Sequence, residues 1–298
     1  MEHIPVLLHE TIDALNIKNN SVVFDGTLGG GGHALEIITR FSDIALYIGC
    51  DMDNDAIERV EKKFESIATP HKFFNTNFRE VKKIIIESGR MHIDCAHFDL
   101  GLSSFQLEES GRGFSFLRDE PLMMTMRTNT DGKSLTAEDI VNTLDAEQIA
   151  GIIFRYGDER YSRRIARAIV EARKRKPITT SLELANIIEQ AVPKRGKKKG
   201  IHPATKSFQA IRIAVNDELE SVEVGVKDAF DMLTTGGRIA VISFHSLEDR
   251  IIKHLFQSLS KDGRGKLIFK KPLTPSLSEI KHNPRSRSAK LRVIEKII

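Results

Sequence analysis

Hydrophobic and polar positions follow two alternating periods through the first hundred residues. Four short, nearly continuous apolar runs occur, three of which end in or near an acid, and each of the first three is followed by a segment with the spacing of an amphipathic helix. Such an alternation is typical of a parallel sheet covered by helices on both faces. It predicts strands at SVVFD (21–25), ALYIGCD (45–51), KFFNT (72–76) and HIDCAHFDL (92–100), with a helix after each of the first three.

The alternation stops at about residue 106 and resumes a hundred residues later. The intervening segment has no strand pattern but three helix starts that resemble capping boxes: Thr136 with Asp139, Asp145 with Gln148, and Thr180 with Glu183. One long helix over residues 207–233 is then predicted, followed by a strand at RIAVISFH (238–245), a helix from about Leu247, and two strand candidates, KLIFKK (266–271) and LRVIEKII (291–298). The prediction is a doubly wound α/β domain of residues 1–106 and 208–298, split by an inserted helical domain of residues 107–207.

Composition indicates a globular protein without a membrane partner. The 298 residues are 40% apolar and 29% charged, enough for a sizeable core in one large or two smaller domains. No apolar run approaches the roughly 18 residues that span a bilayer, and the first residues lack the features of a signal peptide, so a cytoplasmic location is expected. Cys50 and Cys95 lie in apolar strand-like runs, where reduced core thiols are expected rather than a disulfide or a metal site.

Charge is unevenly distributed along the chain. The net charge is only +4, but the segment 155–212 holds 16 Lys and Arg against 5 Asp and Glu, so the inserted domain carries most of the positive charge. The runs RKRK (173–176) and KRGKKKG (194–200) are candidates for phosphate contacts, although a solvated surface would also explain them. Without an amphipathic membrane anchor, nucleic acid is a better expectation than lipid.

The segment VVFDGTLGGGGHALEII (22–38) has the composition of a nucleotide-type site. Glycine permits a positive φ and close backbone approach, and the first helical N–H groups are free to bind a ligand. Gly29, Gly31 and Ala34 fit the dinucleotide pattern, while Asp25 followed by Gly29 and Gly31 fits an S-adenosylmethionine (SAM) site equally well. Asp51, at the end of the next strand, would bind the ribose hydroxyls of either cofactor. Asp25 favours cationic SAM, and an NAD-dependent oxidoreductase remains the alternative.

Two further strand ends carry candidate chemistry. DLGLSSFQL (99–107) offers Asp99 and Ser103, and SFHSLEDR (243–250) offers His245, both at the ligand-binding edge of a doubly wound sheet. A capped turn at the serines and a structural histidine are the alternatives. No metal-ligand pattern is visible in the sequence, and GLSSF and HETID do not match the nucleophile-elbow or zinc-protease motifs.

Eight blocks, in order along the chain, resemble the RsmH (MraW) family. They are HIPVLLHE, DGTLGGGGHA, DLGLSSFQL, GRGFSF, YGDERYSRRIARAIV, HPATKSFQAIRIAVNDELE, ISFHSLEDR and NPRSRSAKLR. The resemblance runs from about residue 3 to 292 and implies a class I (Rossmann-like) SAM-dependent methyltransferase with an inserted helical domain. It also implies a substrate, the N4 amine of a cytidine in the decoding region of small-subunit (16S) ribosomal RNA, free or in the small ribosomal subunit. Whether the chain forms a homodimer is left open.

The resemblance also implies which residues act. Its cofactor contacts, placed on this sequence, are Gly31, Gly32, His33, Asp51, Phe78, Asp99 and Gln106. An acceptor for the amine N–H would help methyl transfer; Asp99 and the neighbouring Ser103 are the first candidates and His245 the second. Where the family usually has LDMRMD, this chain has LMMTMR, with Met123, Thr125 and Arg127 at the changed positions. An RNA-binding protein with a vestigial cofactor site is therefore a further alternative.

Overall fold

The computed structural model describes residues 5–128, 134–193 and 202–298. The chain forms two compact units, the first made of the chain up to Gly101 and from Leu219 onward, and the second of Leu102–Glu218. The basic run 194–200 lies outside the described residues. Within the described residues, no helix is both long enough and apolar enough to cross a membrane.

The first unit contains a seven-stranded sheet in the order β3-β2-β1-β4-β5-β7-β6. Strands β1 to β5 run parallel, whereas β7 pairs antiparallel with both β5 and β6. The reversal of strand order between β1 and β4 marks a doubly wound fold, which confirms the predicted class I methyltransferase architecture. The strands are β1 Val22–Asp25, β2 Leu46–Asp51, β3 His71–Asn75, β4 Ile93–Asp99, β5 Leu233–Ser243, β6 Gly265–Leu267 and β7 Lys290–Lys296.

Helices cover the sheet in the first unit and make up the second. The described helices are α1 Leu8–Leu15, α2 Gly32–Arg40, α3 Asn54–Phe64, α4 Val81–Glu87, α5 Ser104–Glu108, α6 Ala137–Thr143, α7 Ala146–Gly157, α8 Ser162–Arg173, α9 Ser181–Ala191, α10 Thr205–Asn216, α11 Glu218–Met232, α12 Ser246–Lys261 and α13 Leu277–His282. Along β1, Val22 and Phe24 enter one apolar cluster and Val23 enters another. The sheet is therefore buried on both faces, which explains why its strands lack polar alternation.

The second unit has its own core, built from α6 to α10, the segments between them and apolar residues before α6, among them Phe114, Leu122 and Met124. Its helix starts agree with the sequence signals. Thr136 and Asp145 each form a complete capping box, and the Thr180 side chain accepts from the Glu183 N–H. No strand element occurs among the described residues of this unit.

The prediction of one long helix over 207–233 is wrong. Asp217 adopts a left-handed conformation (φ 48°) between α10 and α11. Arg212 holds the turn with two 2.7 Å bonds to the Glu218 carboxylate. The apolar spacing continues across the break, so periodicity could not reveal it; the signal was Asn216-Asp217, residue types that tolerate this conformation. The last predicted strand pair is also shorter than expected, because β6 ends at Leu267.

Candidate cofactor site

Three acids lie at the carboxyl ends of adjacent strands in the first unit. Asp25 ends β1, Asp51 ends β2 and Asp99 ends β4. Pairing places Asp25 opposite Gly49 of β2 and His97 of β4, so the three strand ends form one edge. This edge is where ligands bind in doubly wound sheets, at the point where the strand order reverses.

The glycine loop connects β1 to α2 at this edge. Gly29 and Gly31 have positive φ values of 50° and 73°, a conformation that other residues rarely adopt. A Cβ atom on Gly31 would lie 3.0 Å from Val60, and one on Gly32 would lie 2.4 Å from Pro5. The glycines therefore serve close packing within the protein as well as leaving the backbone bare toward a ligand.

Asp51 is held in place by the backbone and keeps acceptor capacity. Its two carboxylate oxygens accept from the Gly29 N–H at 2.8 Å and the Asp53 N–H at 2.9 Å. Burial nonetheless raises the pKa of Asp51 to about 6, because desolvation outweighs these two bonds. Each oxygen has a second lone pair, so an oriented carboxylate remains available for ribose hydroxyls.

Asp25 does not face a ligand directly, contrary to the reasoning that used its charge to select SAM. It is buried, and its carboxylate accepts from the Thr27 N–H at 2.9 Å and from the Tyr47 hydroxyl at 2.7 Å. His97 Nε2 lies 3.2 Å from the same oxygen that Tyr47 contacts. Although burial opposes ionisation, these partners lower the pKa of Asp25, so its charge acts from within the protein.

Asp99 carries an unsatisfied buried acceptor. Its backbone N–H donates to Thr27 Oγ1 at 2.6 Å, which ties the end of β4 to the glycine loop. Oδ2 lies 3.9 Å from His33 Nδ1, while Oδ1 is buried and has no hydrogen-bond partner among the described residues. Burial raises the pKa of Asp99 to about 7; His97 opposes the shift, and Asp25 and Glu248 add to it. An acceptor left in this state is suited to a donor supplied by a ligand.

Phe78 forms an aromatic wall beside the loop entrance. Its ring packs on Phe98 with centroids 5.4 Å apart, and a Cβ atom on Gly26 would lie 3.2 Å from Phe78 Cβ. Asn77 fixes this turn, because its side chain accepts from the Arg79 N–H at 2.9 Å and donates to Ser221 Oγ at 3.0 Å. The half-buried ring is therefore held rigidly and can pack against a base.

Ser103 and Gln106 lie in the second unit and serve the helix that follows them. The Ser103 hydroxyl accepts from the Gln106 N–H at 3.1 Å, and the Gln106 amide oxygen accepts from the Ser103 N–H at 3.0 Å. This reciprocal pair is a complete capping box at the start of α5. The capped turn that the sequence left open is thus present, and a catalytic role for Ser103 stays a prediction.

His245 also caps a helix. Its Nδ1 accepts from the Glu248 N–H at 3.4 Å, and its Nε2 lies 3.1 Å from Glu248 Oε1. Glu248 in turn accepts from the backbone N–H of Phe244 at 2.8 Å. Nδ1 therefore caps α12, whereas the buried Nε2 has no hydrogen bond among the described residues despite its distance to Glu248, so a catalytic role for His245 stays a prediction.

The sequence reasoning missed the support behind these residues. His97 and Tyr47 are buried and hold Asp25, and the His97 ring lies 5.2 Å from the His33 ring. The available signal was the position of His97, two residues before Asp99 and hence on the same face of β4. Of the predicted cofactor contacts, those at the described edge of the first unit are Gly31, Gly32, His33, Asp51, Phe78 and Asp99.

Comparison with known proteins gives concordant results. The MraW methylase family matches residues 1–297. A ribosomal RNA small subunit methyltransferase H from Clostridioides difficile is 43% identical, over 99% of this chain and 99% of its own length. Proteins of the same name from Carboxydothermus hydrogenoformans and Fusobacterium nucleatum are each 44% identical, over 99% of this chain and 98% and 97% of their own lengths. The resemblance drawn from the eight sequence blocks is confirmed.

Proposed function

This chain belongs to the MraW methylase family, and we propose that it transfers the methyl group of SAM to the N4 amine of a cytidine in small-subunit ribosomal RNA. The full-length relatives named ribosomal RNA small subunit methyltransferase H support the substrate class. The observation that carries the chemistry is the buried, unpaired Oδ1 of Asp99 at the carboxyl edge of the sheet. A ribosomal substrate also accords with the expected cytoplasmic location.

The described residues fit a cofactor that contains adenosine, such as SAM. Asp51 presents an oriented carboxylate for ribose hydroxyls, and Phe78 offers a wall for the adenine. In the loop, Gly29 and Gly32 are partly exposed. Asp25 lies beneath the loop and accepts from the Thr27 N–H, but its buried carboxylate is paired with Tyr47 and His97 and does not itself select a cation. Membership of the MraW methylase family disfavours the oxidoreductase alternative.

SAM supplies an activated methyl group, and the remaining task falls on this chain. The cytosine amine is a poor nucleophile, because its lone pair is delocalised into the ring. Asp99 Oδ1, accepting the amine N–H, would localise that lone pair and take up the proton as the nitrogen–carbon bond forms and the sulfur–carbon bond breaks. A carboxyl with a pKa of about 7 is suited to this exchange near neutral pH. Alignment of the reactants supplies on the order of 7 to 11 kcal/mol more.

The second unit is proposed to recognise RNA. It contains the basic segment that ends near Arg212, and its helical core leaves many cations at the surface. A cytidine must leave any stack for its amine to reach a methyl donor, so single-stranded or remodelled RNA is expected. The inserted domain predicted over 107–207 would hold that RNA, and the cofactor site would hold the base.

Methyl transfer to the natural target is the decisive experiment. Small ribosomal subunits from cells lacking this protein would be incubated with labelled SAM and the chain, and digested nucleosides would be analysed by mass spectrometry. N4-methylcytidine at one site is expected. The Asp99→Asn variant, which keeps the shape of the side chain but cannot take up the proton, is the matched control and is expected to transfer nothing. Intact SAM binding without incorporation would instead support the RNA-binding alternative.

A further inference from the structure

The basic side chains of the second unit fall into two groups. One group is already paired. In the run RKRK, Arg173 donates to the Val141 carbonyl at 2.7 Å, Lys174 lies 2.9 Å from Glu171, and Lys176 lies 2.8 Å from Glu183. Arg212 is likewise bound to Glu218. Two of the four charges of the RKRK run are therefore ion-paired, Arg173 is bound to a carbonyl, and Arg175 is exposed without an ion pair among the described residues.

The second group lies at the beginning of α8. Arg163, Arg164 and Arg167 are exposed, and no carboxylate of the described residues forms an ion pair with any of them. Arg167 Nε donates to the Arg163 carbonyl at 3.3 Å, which leaves its terminal nitrogens free of a carboxylate. Arg160, just before the helix, is also exposed, and its guanidinium lies over the Tyr161 ring at 4.7 Å from the centroid.

Helical spacing places Arg163, Arg164 and Arg167 on one side of α8, and Arg160 lies two residues before the helix begins. Arg163 and Arg167 are four residues apart, and Arg164 and Arg167 are three apart, so all three lie on the same side of α8. The opposite side of α8 is buried in the core through Ile165, Ala166 and Ile169. The first turn contains no acidic residue to offset the positive charge, so the like charges repel one another until an anion binds.

We propose that Arg160, Arg163, Arg164 and Arg167, called here the α8 arginine face, bind the phosphates of the single-stranded RNA substrate. The inference rests on the proposed function and names the surface that it requires. Guanidinium groups form two parallel hydrogen bonds with a phosphate, a geometry that lysine cannot reproduce. The partly buried Tyr161 ring beneath Arg160 adds a stacked aromatic, which is a common element of single-strand binding surfaces. The face has no apolar side chains for insertion into a lipid surface.

Paired variants separate this face from charge in general. In the first variant, Arg163→Gln with Arg167→Gln, the α8 arginine face loses two positive charges. In the second, Lys174→Gln with Lys176→Gln, the RKRK run loses its two ion-paired lysines. Affinity for a short oligoribonucleotide with one cytidine among uridines would be measured by fluorescence anisotropy over a series of salt concentrations. The slope of the logarithm of the binding constant against the logarithm of the salt concentration should become shallower by about 1.4 in the first variant, at about 0.7 per lost contact. It should stay unchanged in the second.

Other outcomes would overturn the proposal. An unchanged salt slope in the arginine variant would do so, as would an equal loss of RNA affinity in both variants. So would a wild-type chain that does not bind the oligoribonucleotide, or a duplex of the same sequence that competes with it equally well for the protein. Melting temperatures and SAM binding of each variant, measured in parallel, show that folding and the cofactor site are intact. RNA binding without methyl transfer would refute the proposed function and leave the α8 arginine face standing, whereas transfer with an unchanged slope would refute the face alone.

Discussion

The buried carboxylate of Asp99 should lower the free energy of unfolding at neutral and alkaline pH, and the Asp99→Asn substitution should remove this loss of stability. Its pKa rises from 3.8 to about 7 on folding, chiefly because the carboxyl is buried, so the folded chain favours the protonated form. The stability contributed by the neutral carboxyl is complete below pH 3.8 and is lost as the pH rises through 7. The full shift corresponds to about 4 kcal/mol, at roughly 1.4 kcal/mol per pKa unit, as an upper limit because the side chain is partly exposed.

The Asp99→Asn variant removes the titration and keeps the shape of the side chain. Its free energy of unfolding, minus that of the wild type, should therefore grow by at most about 1.4 kcal/mol per pH unit between about pH 4 and 7 and level off above. Urea unfolding followed by circular dichroism at several pH values, without SAM, measures this difference directly. The same variant is expected to lose methyl transfer, so stability and activity should move in opposite directions.

A difference in stability that does not change with pH would refute this reasoning. It would mean that Oδ1 of Asp99 is solvated or paired in solution, and that the carboxyl has an ordinary pKa. Asp51→Asn is a useful comparison, because the carboxylate of Asp51 accepts two backbone bonds that an amide cannot fully replace. The pKa of Asp51 is raised only to about 6, so the pH-dependent gain in the free energy of unfolding of Asp51→Asn should be smaller than that of Asp99→Asn. The two weakened backbone bonds should offset that gain.

Other predictions concern the rate, the glycine loop and the altered segment. The rate of methyl transfer by the wild type should rise about tenfold per pH unit below 7 and level off above it, as Asp99 ionises; a flat profile under single-turnover conditions would exclude Asp99 as the base. Gly32→Ala should lower stability by about 1 to 3 kcal/mol and weaken SAM binding, because the added Cβ would lie 2.4 Å from Pro5. Gly151→Ala, where the nearest atom is 3.8 Å away in the middle of α7, is its control and should be neutral or stabilising by up to about 1 kcal/mol; calorimetry compares the two. Asn216→Ala should destabilise the second unit by about 1 to 3 kcal/mol, because Asn216 binds both the Met124 carbonyl and the Met126 N–H at 2.8 Å; an unchanged melting temperature would show that the LMMTMR segment is held by other contacts.

The sheet was predictable from the sequence because it is buried on both faces. Runs such as Val22–Asp25 are apolar throughout, so their strand nature and their order with the intervening helices follow from composition alone. The acids at the strand ends were also predictable, since a polar residue ending a buried strand must lie at an edge. The roles of those acids were less accessible, because Asp25 turns inward to Tyr47 while Asp99 retains an unpaired oxygen.

The caps show where one sequence signal supports two interpretations. Ser103 with Gln106 has the spacing of a capping box, and His245 with Glu248 repeats it. Ser103 and His245 were assigned catalytic potential from their position after a strand, and Gln106 a cofactor contact from the family resemblance; the same side chains also satisfy helix termini. The break at Asp217 had a local signal in Asn216-Asp217, whereas the ion pair of Lys176 with Glu183 depends on how the chain turns between α8 and α9, which no periodicity reports.

The insertion of the second unit between β4 and β5 sets the order in which the chain can fold. These two strands are hydrogen-bonded neighbours, yet about 130 residues separate them, and closing a flexible loop of that length slows sheet formation. Leu102–Glu218 is continuous in sequence and has its own core, so it can fold while β5 is still being synthesised. Once the insert has folded, the connection between β4 and β5 is no longer a long flexible loop, so bringing the two strands together costs less entropy. The β1–β4 half sheet, with its unpaired edge at β4, must wait for the last eighty residues of the chain, and that waiting period is when this protein is most exposed to misassembly.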